Sequence, residues 1–217
     1  MGTTLFMPNA RIHLHRGDLP EELSLGPVVA VDTETMGLNP HRDRLCLVQL
    51  SAGDGTAHLV QIVPPRLGGT GADCPRLRAL LADPGTVKLF HFARFDLAIL
   101  RHALGVDAAP VRCTKVAAKL VRTFTDRHGL RDLCRELLGV EISKQQQTSD
   151  WGAAELTPEQ LAYAASDVLH LHALWERLEG LLRREDRLEL AETCFRFLPH
   201  RAALDLLGYT EPDIFAH

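Results

Sequence analysis

The stretch VVAVDTETMGL, residues 28–38, is the most informative part of this sequence. It begins as a short, apolar, β-branched segment, which is typical of a buried strand. Asp32 and Glu34 come at the end of that strand, and side chains two apart along a strand point to the same face. Because unpaired carboxylates are costly to bury, the pair indicates a hard divalent cation with oxygen ligands. Taken alone, a solvated strand end is the alternative.

The segments around this stretch predict a group of strands. Strands are expected at residues 11–15, 28–32, 44–51 and 57–63, and their short connections favour an antiparallel meander. The Pro/Gly-rich segment 64–73 is expected to be a loop. Asp73 is predicted to cap a helix that has Pro75 near its first turn and ends near Leu81.

The rest of the chain has a mainly helical pattern. A strand at 86–92 precedes the helix ARFDLAILRHAL, which is expected to stop at Gly105 as a left-handed C-cap. Later helices are predicted near 113–124, 129–138, 157–183 and 185–207. This order predicts an α/β, ribonuclease H-like three-layer fold with a mixed central sheet and a helical C-terminal half. The length of 217 residues predicts one domain, over 1–217.

A tyrosine and a second acidic position occur in TPEQLAYAASD, residues 157–167. Thr157 and Gln160 form a capping box that marks a helix start. Tyr163 and Asp167 follow at positions i and i+4, which lie on one helical face about one turn apart. A tyrosine packed among alanines and a solvated aspartate are the alternative interpretations.

HFARFD, residues 91–96, supplies the fourth carboxylate. Asp96 comes just after a predicted strand, where an α/β fold brings strand ends and helix starts to one rim. In isolation, the preference of acidic residues for helix N-termini is the favoured explanation of Asp96. The prediction therefore depends on the combination of motifs.

Together these motifs resemble the DEDD superfamily of 3′→5′ exonucleases, in its tyrosine-bearing branch. Asp-x-Glu lies on the first core strand, Phe-Asp follows a later strand, and Tyr-x-x-x-Asp lies on a late helix. The run DRHGLRDLCRELLGVEISKQQQTSDW, residues 126–151, resembles the corresponding part of ribonuclease D. Within the branch, the chain most resembles the compact nano-RNase C family. The resemblance covers residues 26–180.

The resemblance implies a catalytic site with two divalent cations, Mg²⁺ or Mn²⁺. Its metal ligands would be Asp32, Glu34, Asp96 and Asp167, with Asp32 bridging the two ions. Tyr163 would orient the attacking water by hydrogen bonding, since a phenol with an ordinary pKa near 10 is no strong base at neutral pH.

The resemblance also implies a set of substrate contacts. The family holds the terminal nucleoside just after its first motif, and bases stack on aromatic rings. For Met36 and Leu38, closing the core is an equal alternative, and for Phe92 a core position is the favoured one. The predicted contacts are Thr35, Met36, Leu38, His91, Phe92, Gln147 and Trp151.

The formal net charge of −4 offers a long polyanion no overall attraction, so the substrate is expected to be short or gripped locally. The resemblance implies short single-stranded RNA and dinucleotides, cleaved to nucleoside 5′-monophosphates. Trimming of structured RNA 3′ ends, DNA cleavage and a non-catalytic nucleic-acid-binding module are the alternatives. The densest basic stretch is expected either to grip a phosphate or to be a solvated face; it comprises Arg122, Arg127, His128, Arg131 and Arg135.

The sequence also gives expectations about the cellular location and the assembly of the protein. The five scattered cysteines fit neither a disulfide framework nor a zinc site, and no signal or membrane-spanning segment is recognised. A cytoplasmic protein with no membrane partner is therefore expected. The resemblance further implies a homo-oligomer, a ring-shaped octamer.

Overall fold

The computed structural model describes residues 10–64, 73–143, 145–211 and 214. A mixed six-stranded sheet forms its centre, with strand order β1-β4-β3-β2-β5-β6. The strands are β1 (Arg11–Arg16), β2 (Val28–Thr35), β3 (Leu45–Ser51), β4 (Thr56–Gln61), β5 (Val87–Phe90) and β6 (Val111–Cys113).

Helices cover the sheet on both faces. They are α1 (Pro75–Ala82), α2 (Ala93–Leu104), α3 (Thr114–Val121), α4 (Leu130–Leu133), α5 (Pro158–Leu169), α6 (Leu171–Arg184) and α7 (Leu188–Leu206). A π-helical turn, Cys134–Leu138, continues α4. Asp32 and Thr33 are neighbours in β2, so their side chains point to opposite faces of the sheet. α5 lies on the face of Asp32, and α2 lies on the face of Thr33. The predicted α/β, ribonuclease H-like three-layer fold is confirmed.

The predicted four-strand meander is wrong at its first strand. β2, β3 and β4 are antiparallel neighbours, but β1 lies parallel to β4 at the sheet edge, with Arg11 opposite Thr56. A parallel pair needs a crossover connection rather than a tight turn. Residues 17–27, which lead from β1 to β2, make that passage across β4 and β3.

Strand limits also differ from prediction at the acidic motif. β2 continues to Thr35, beyond the predicted limit of residue 32, so Asp32 and Glu34 both lie within the last part of the strand, opposite Gln49 and Leu47 of β3. β6 was not predicted, because three residues are too few to show an alternating pattern. All seven residues of β3 are buried, including the polar Gln49.

Two helix predictions are corrected. The predicted helix 157–183 is interrupted at His170, where α5 ends and α6 begins. Asp73 does not cap α1; the carboxylate of Asp18 accepts hydrogen bonds from the Arg76 and Leu77 amides, both at 2.9 Å.

Other local predictions are confirmed. Gly105 ends α2 in the left-handed conformation with φ 62°, and both bonds of the capping box between Thr157 and Gln160 are present. The loop predicted at 64–73 lies mostly outside the described residues. Within the described chain, no helix is long and apolar enough to span a membrane.

Candidate active site

Three carboxylates from two elements meet on one face of the sheet. Asp32 and Glu34 of β2 and Asp167 of α5 each offer an oxygen, and these oxygens lie within 4.8 Å of one another. All three side chains are half-buried. The capping box fixes the start of α5, and α5 packs against β2, β3 and β4, which brings Asp167 over the strand pair.

Asp96 reaches the same place from the opposite face of the sheet. It lies in the first turn of α2, is buried, and accepts a hydrogen bond from Thr33 Oγ1 at 2.7 Å. The charge of Asp32 acts on Asp96, and the charge of Asp96 acts on Glu34. Asp96 therefore lies beside the three-carboxylate group without belonging to it.

The crowding of these carboxylates changes their acidity. Burial, followed by repulsion from Asp32, Asp167 and Asp96, raises the pKa of Glu34 to about 10. Burial raises the pKa of Asp32 to about 7, and burial and the charge of Asp32 raise the pKa of Asp96 and of Asp167 well above the usual value. Without a cation, the folded chain therefore favours the protonated form of these groups, and a bound cation would favour their charged form.

The donor set fits a hard divalent cation. None of the four carboxylates forms a salt bridge with lysine or arginine in the described part of the chain. Clustered carboxylate oxygens without nitrogen or sulfur ligands are the coordination that Mg²⁺ and Mn²⁺ prefer. Divalent-metal binding is therefore the expected role of this group.

Tyr163 lies one helical turn before Asp167 and is hydrogen-bonded to its carboxylate. Burial first, and then the charges of Asp167, Glu34 and Asp32, raise the pKa of Tyr163 far above its ordinary value. The phenol therefore keeps its proton at neutral pH. Its hydroxyl can therefore donate a hydrogen bond in the site.

The residues after the acidic strand are exposed. Met36 is 50% exposed and Leu38 is 84% exposed, so the alternative that they close the core is wrong. The Thr35 hydroxyl donates to the Gly37 carbonyl and holds the start of this loop.

A second loop lies against Met36. The Arg44 guanidinium donates to the Gly152 carbonyl at 3.0 Å, which joins the two loops. A Cβ at Gly152 would come 2.5 Å from Met36 Sδ, so a larger residue at this position would displace the Met36 side chain. The Met36 thioether therefore lies directly against the second loop.

His91 and Phe92 differ in their accessibility. The Thr114 hydroxyl donates to the Phe90 carbonyl at 3.2 Å, so its oxygen accepts from His91 Nδ1 at 2.9 Å. Burial and the nearby Lys115 lower the pKa of His91 to about 3, which keeps the ring neutral. Phe92 is 46% exposed, with the Lys115 ammonium 3.9 Å from its ring centroid, so the core position favoured for it is wrong.

Gln147 and Trp151 are also placed differently from each other. Gln147 is exposed, whereas Trp151 is 2% exposed and its ring centroid lies 5.9 Å from that of Tyr163. Gln160 donates to Ser149 Oγ at 2.8 Å and to the Asp150 carbonyl at 3.0 Å, which fastens this loop to α5. Trp151 thus packs against the tyrosine instead of facing an open surface.

The basic stretch is largely neutralised within the chain. Arg122 is buried and bonds Glu136, Arg131 lies 3.7 Å from Glu141, and Arg135 lies 2.8 Å from Asp132. These pairs count against a phosphate grip, since a paired guanidinium is less available to a phosphate. The alternative of a solvated face does not hold for Arg122 and His128, which are buried.

Two polar residues of the site were not predicted. Gln49, fully buried on β3, donates from Nε2 to Asp32 Oδ2 at 3.3 Å, and Thr33 holds Asp96. A single glutamine inside the apolar strand LCLVQLS was the available signal for Gln49. Thr33 carries no such signal, because its partner is 63 residues away.

An α/β sheet of ribonuclease H-like type that gathers unpaired carboxylates at one place defines a class, the metal-dependent nucleases. A family model described as 3'-5' exonuclease matches residues 17–183. The chain belongs to this family.

Comparison of sequences gives curated relatives in the same group. Ribonuclease D of Gluconacetobacter diazotrophicus is 39% identical over 169 residues, which are 78% of this chain and 41% of that protein. Ribonuclease D of Acidiphilium cryptum is also 39% identical, over 79% of this chain and 42% of that protein. The chain thus spans about four-tenths of the length of these relatives.

Solved structures include relatives of similar size. Brucella melitensis NrnC bound to pGG has a TM-score of 0.89 and 56% identity, covering 96% of this chain and 99% of that one. The same protein with bound Mg²⁺ gives a TM-score of 0.88 and 55% identity, covering 95% of this chain and 99% of that one. Escherichia coli RNase D gives 0.68 and 26%, covering 81% of this chain and 45% of that one. The resemblance to the ribonuclease D-like branch, near nano-RNase C, is confirmed.

Proposed function

We propose that this chain is a divalent-metal-dependent 3′→5′ exoribonuclease that degrades dinucleotides and short oligoribonucleotides to nucleoside 5′-monophosphates. The proposal rests on the convergence of Asp32, Glu34 and Asp167 within 4.8 Å, without a basic partner, in a member of the 3'-5' exonuclease family. Asp96 and Tyr163 complete the proposed site.

Two cations, Mg²⁺ or Mn²⁺, are proposed for this site. Asp32, Glu34 and Asp167 would hold one ion, and Asp32 and Asp96 would hold the other. Divalent cations at such a site stabilise the attacking and leaving oxygens of a phosphodiester and lower the pKa of the attacking water. The Mg²⁺-bound structure of Brucella melitensis NrnC supports the metal class.

Other side chains of the site orient the attacking water and the metal-binding carboxylates. Tyr163 keeps its proton, so its hydroxyl donates a hydrogen bond that positions the attacking water. Gln49 and Thr33 hold Asp32 and Asp96 in place from inside the sheet. Water attacks phosphorus, the bond to the 3′ oxygen of the preceding nucleotide breaks, and the released nucleotide keeps a 5′ phosphate.

A short substrate is favoured over a long one by two observations. The formal net charge is −4, and the arginines of the basic stretch are mostly paired with acids. The relative solved with pGG is also more similar to this chain than the RNase D described as involved in structured RNA processing, at 56% against 26% identity. Exposed Met36, Leu38 and Phe92 are the proposed contacts for the terminal nucleoside.

A length series tests the proposal. End-labelled RNA and DNA, from dimers to long duplexes, are incubated with Mg²⁺ and with Mn²⁺, and the products are resolved by length. We expect loss of single nucleotides from the 3′ end, fastest for the shortest RNA, and no cleavage by Asp32→Asn. Faster cleavage of long structured RNA or of DNA would refute the proposed substrate.

The ring-shaped octamer and the cytoplasmic location stay predictions. Sedimentation-velocity ultracentrifugation of the purified chain tests the assembly, since an octamer has eight times the mass of the 24.0 kDa chain. A monomer at micromolar concentration would contradict the octamer.

A further inference from the structure

Three histidines form a cluster at the edge of the sheet. His13 and His15 of β1 and His58 of β4 have stacked rings, with centroids 5.2 Å apart for His13 and His58 and 5.3 Å apart for His15 and His58. His15 Nε2 and His58 Nδ1 are 3.1 Å apart. We call these three residues the histidine stack.

The histidine stack is separate from the carboxylate site. Residues that pair across neighbouring strands point to the same face of the sheet. Asp32 pairs with Gln49, Gln49 with Leu59, and Leu59 with Leu14, so this row of residues shares the face of the carboxylate site. His13 and His58 are each one residue away from this row and therefore point to the opposite face. β1 is also three strands from β2, or about 14 Å across the sheet.

The stack is not explained by bonds to the rest of the chain. In the described regions, the contact between His15 and His58 is the only hydrogen bond that these three side chains make. His13 is exposed, and the other two are half-buried, so all three can be reached from solvent. The charge of Asp54, which lies 3.8 Å from Arg11, acts on His58.

The protonation state of the pair suits a metal. Burial and repulsion from neighbouring histidines lower the pKa of both His15 and His58, so both rings are neutral near pH 7. Neutral imidazole is the form that binds metal ions. In the contact between them, one ring nitrogen donates and the other accepts. A cation can bind both nitrogens when the donor ring changes tautomer and carries its proton on its other nitrogen.

We propose that the histidine stack binds one divalent transition-metal ion of the Zn²⁺ class. Zinc–nitrogen bonds of about 2.0–2.1 Å place the ligand nitrogens of a tetrahedral ion about 3.3 Å apart, close to the 3.1 Å between His15 Nε2 and His58 Nδ1. The exposed His13 ring, whose centroid lies 5.2 Å from that of His58, would have to turn to supply a third nitrogen. Imidazole ligands favour Zn²⁺, Ni²⁺ and Cu²⁺ over Mg²⁺, in contrast to the carboxylates.

Calorimetry tests this site independently of nuclease activity and of the proposed function. The full chain, without a polyhistidine tag, is titrated with Zn²⁺ in a large excess of Mg²⁺, which occupies oxygen sites. We expect one Zn²⁺ per chain, bound about 10-fold or more weakly by His58→Gln and by His15→Gln. His200→Gln, at an exposed histidine of α7, serves as the matched control and is expected to bind like the wild type.

Thermal unfolding gives the second measurement. Zn²⁺ is expected to raise the Tm of the wild type and of His200→Gln, and to leave the Tm of His15→Gln unchanged. Circular dichroism without metal verifies that each variant is folded, and His15→Gln carries the test if His58→Gln is not. Unchanged Zn²⁺ affinity in the folded stack variants, or no Zn²⁺ uptake by the wild type, would overturn the proposal.

Discussion

Asp32 lies in a group of carboxylates whose mutual repulsion lowers the stability of the fold. It is held by Gln49 Nε2 at 3.3 Å, yet its charged neighbours are Glu34, Asp96 and Asp167. A fold selected for stability alone would not place four carboxylates together, because each raises the electrostatic cost of the next. The arrangement is accounted for by a bound cation.

Substitution of Asp32 separates these two effects. Asp32→Asn removes one charge from the cluster while keeping the shape of the side chain. We expect the metal-free variant to be more stable by about 1 kcal/mol, or about 2–4 °C in Tm. We also expect cleavage to fall by at least about 100-fold. Calorimetric unfolding in EDTA measures the Tm, and a dinucleotide assay measures the cleavage rate. A variant as active as the wild type would contradict the metal assignment.

Tyr163 is expected to act on the rate and not on metal binding. Tyr163→Phe removes the hydroxyl and keeps the ring beside Trp151, so the packing is preserved. Loss of the hydrogen bond that orients the water should lower kcat by about 10–100-fold. Mn²⁺ affinity, measured by calorimetry, should stay at the wild-type value. A large loss of Mn²⁺ affinity would instead assign the phenol to the metal site.

Spacing predicted which side chains share a face within each acidic motif, and the family resemblance implied that the motifs meet. Residues two apart on β2 and four apart on α5 must share a face, and both pairs contribute to the group of three carboxylates. The contacts of Gln49 and Thr33 depend on strand register and helix placement, which no local pattern encodes. The sequence could therefore predict the acids but not the residues that hold them.

α5 connects local sequence to the site, since its capping box fixes where Tyr163 and Asp167 lie. Thr157→Ala removes the bond between Thr157 Oγ1 and the Gln160 amide. We expect a loss of about 1 kcal/mol in the free energy of unfolding, measured by urea denaturation. Thr123→Ala, at an exposed threonine outside the helices, is the control. Equal stability of the two variants would show that the cap is unimportant.

Element predictions succeeded where a local signal was strong. The Gly105 cap and the capping box were found because their residue types are chemically specific. The break at His170 was missed because the apolar period continues from α5 into α6, and the cap of α1 was missed because Asp18 acts from far along the chain. Interactions between distant segments decide such details.

At the scale of the whole molecule, the strand pairing of the sheet also could not be predicted from local sequence. Fold class followed from the order of strands and helices, but the parallel pairing of β1 with β4 did not. An edge strand can pair on several neighbours with the same alternating pattern, and only the packed molecule selects one. This edge also carries the histidine stack, which neither the motifs nor the family resemblance indicated.

The stability of the whole molecule should depend on pH in a manner set by the metal site. The pKa of Asp32 is raised to about 7 and that of Glu34 to about 10, so the folded state binds more protons than the unfolded one. Their contribution to stability is full below pH ~4 and is lost as pH rises through these values. In EDTA, Tm is therefore expected to fall from pH ~5 to ~9, and saturating Mg²⁺ should flatten this fall. Identical profiles with and without Mg²⁺ would contradict the account.

Diffraction from crystals of the full chain grown with Mn²⁺, recorded at a wavelength where manganese scatters anomalously, locates the ions themselves. Two anomalous peaks are predicted about 3.5–4 Å apart. One should contact Asp32, Glu34 and Asp167, and the other should contact Asp32 on the side of Asp96. Peaks elsewhere, with none between β2 and α5, would show that the carboxylates are not a metal site and that the proposed catalysis is wrong.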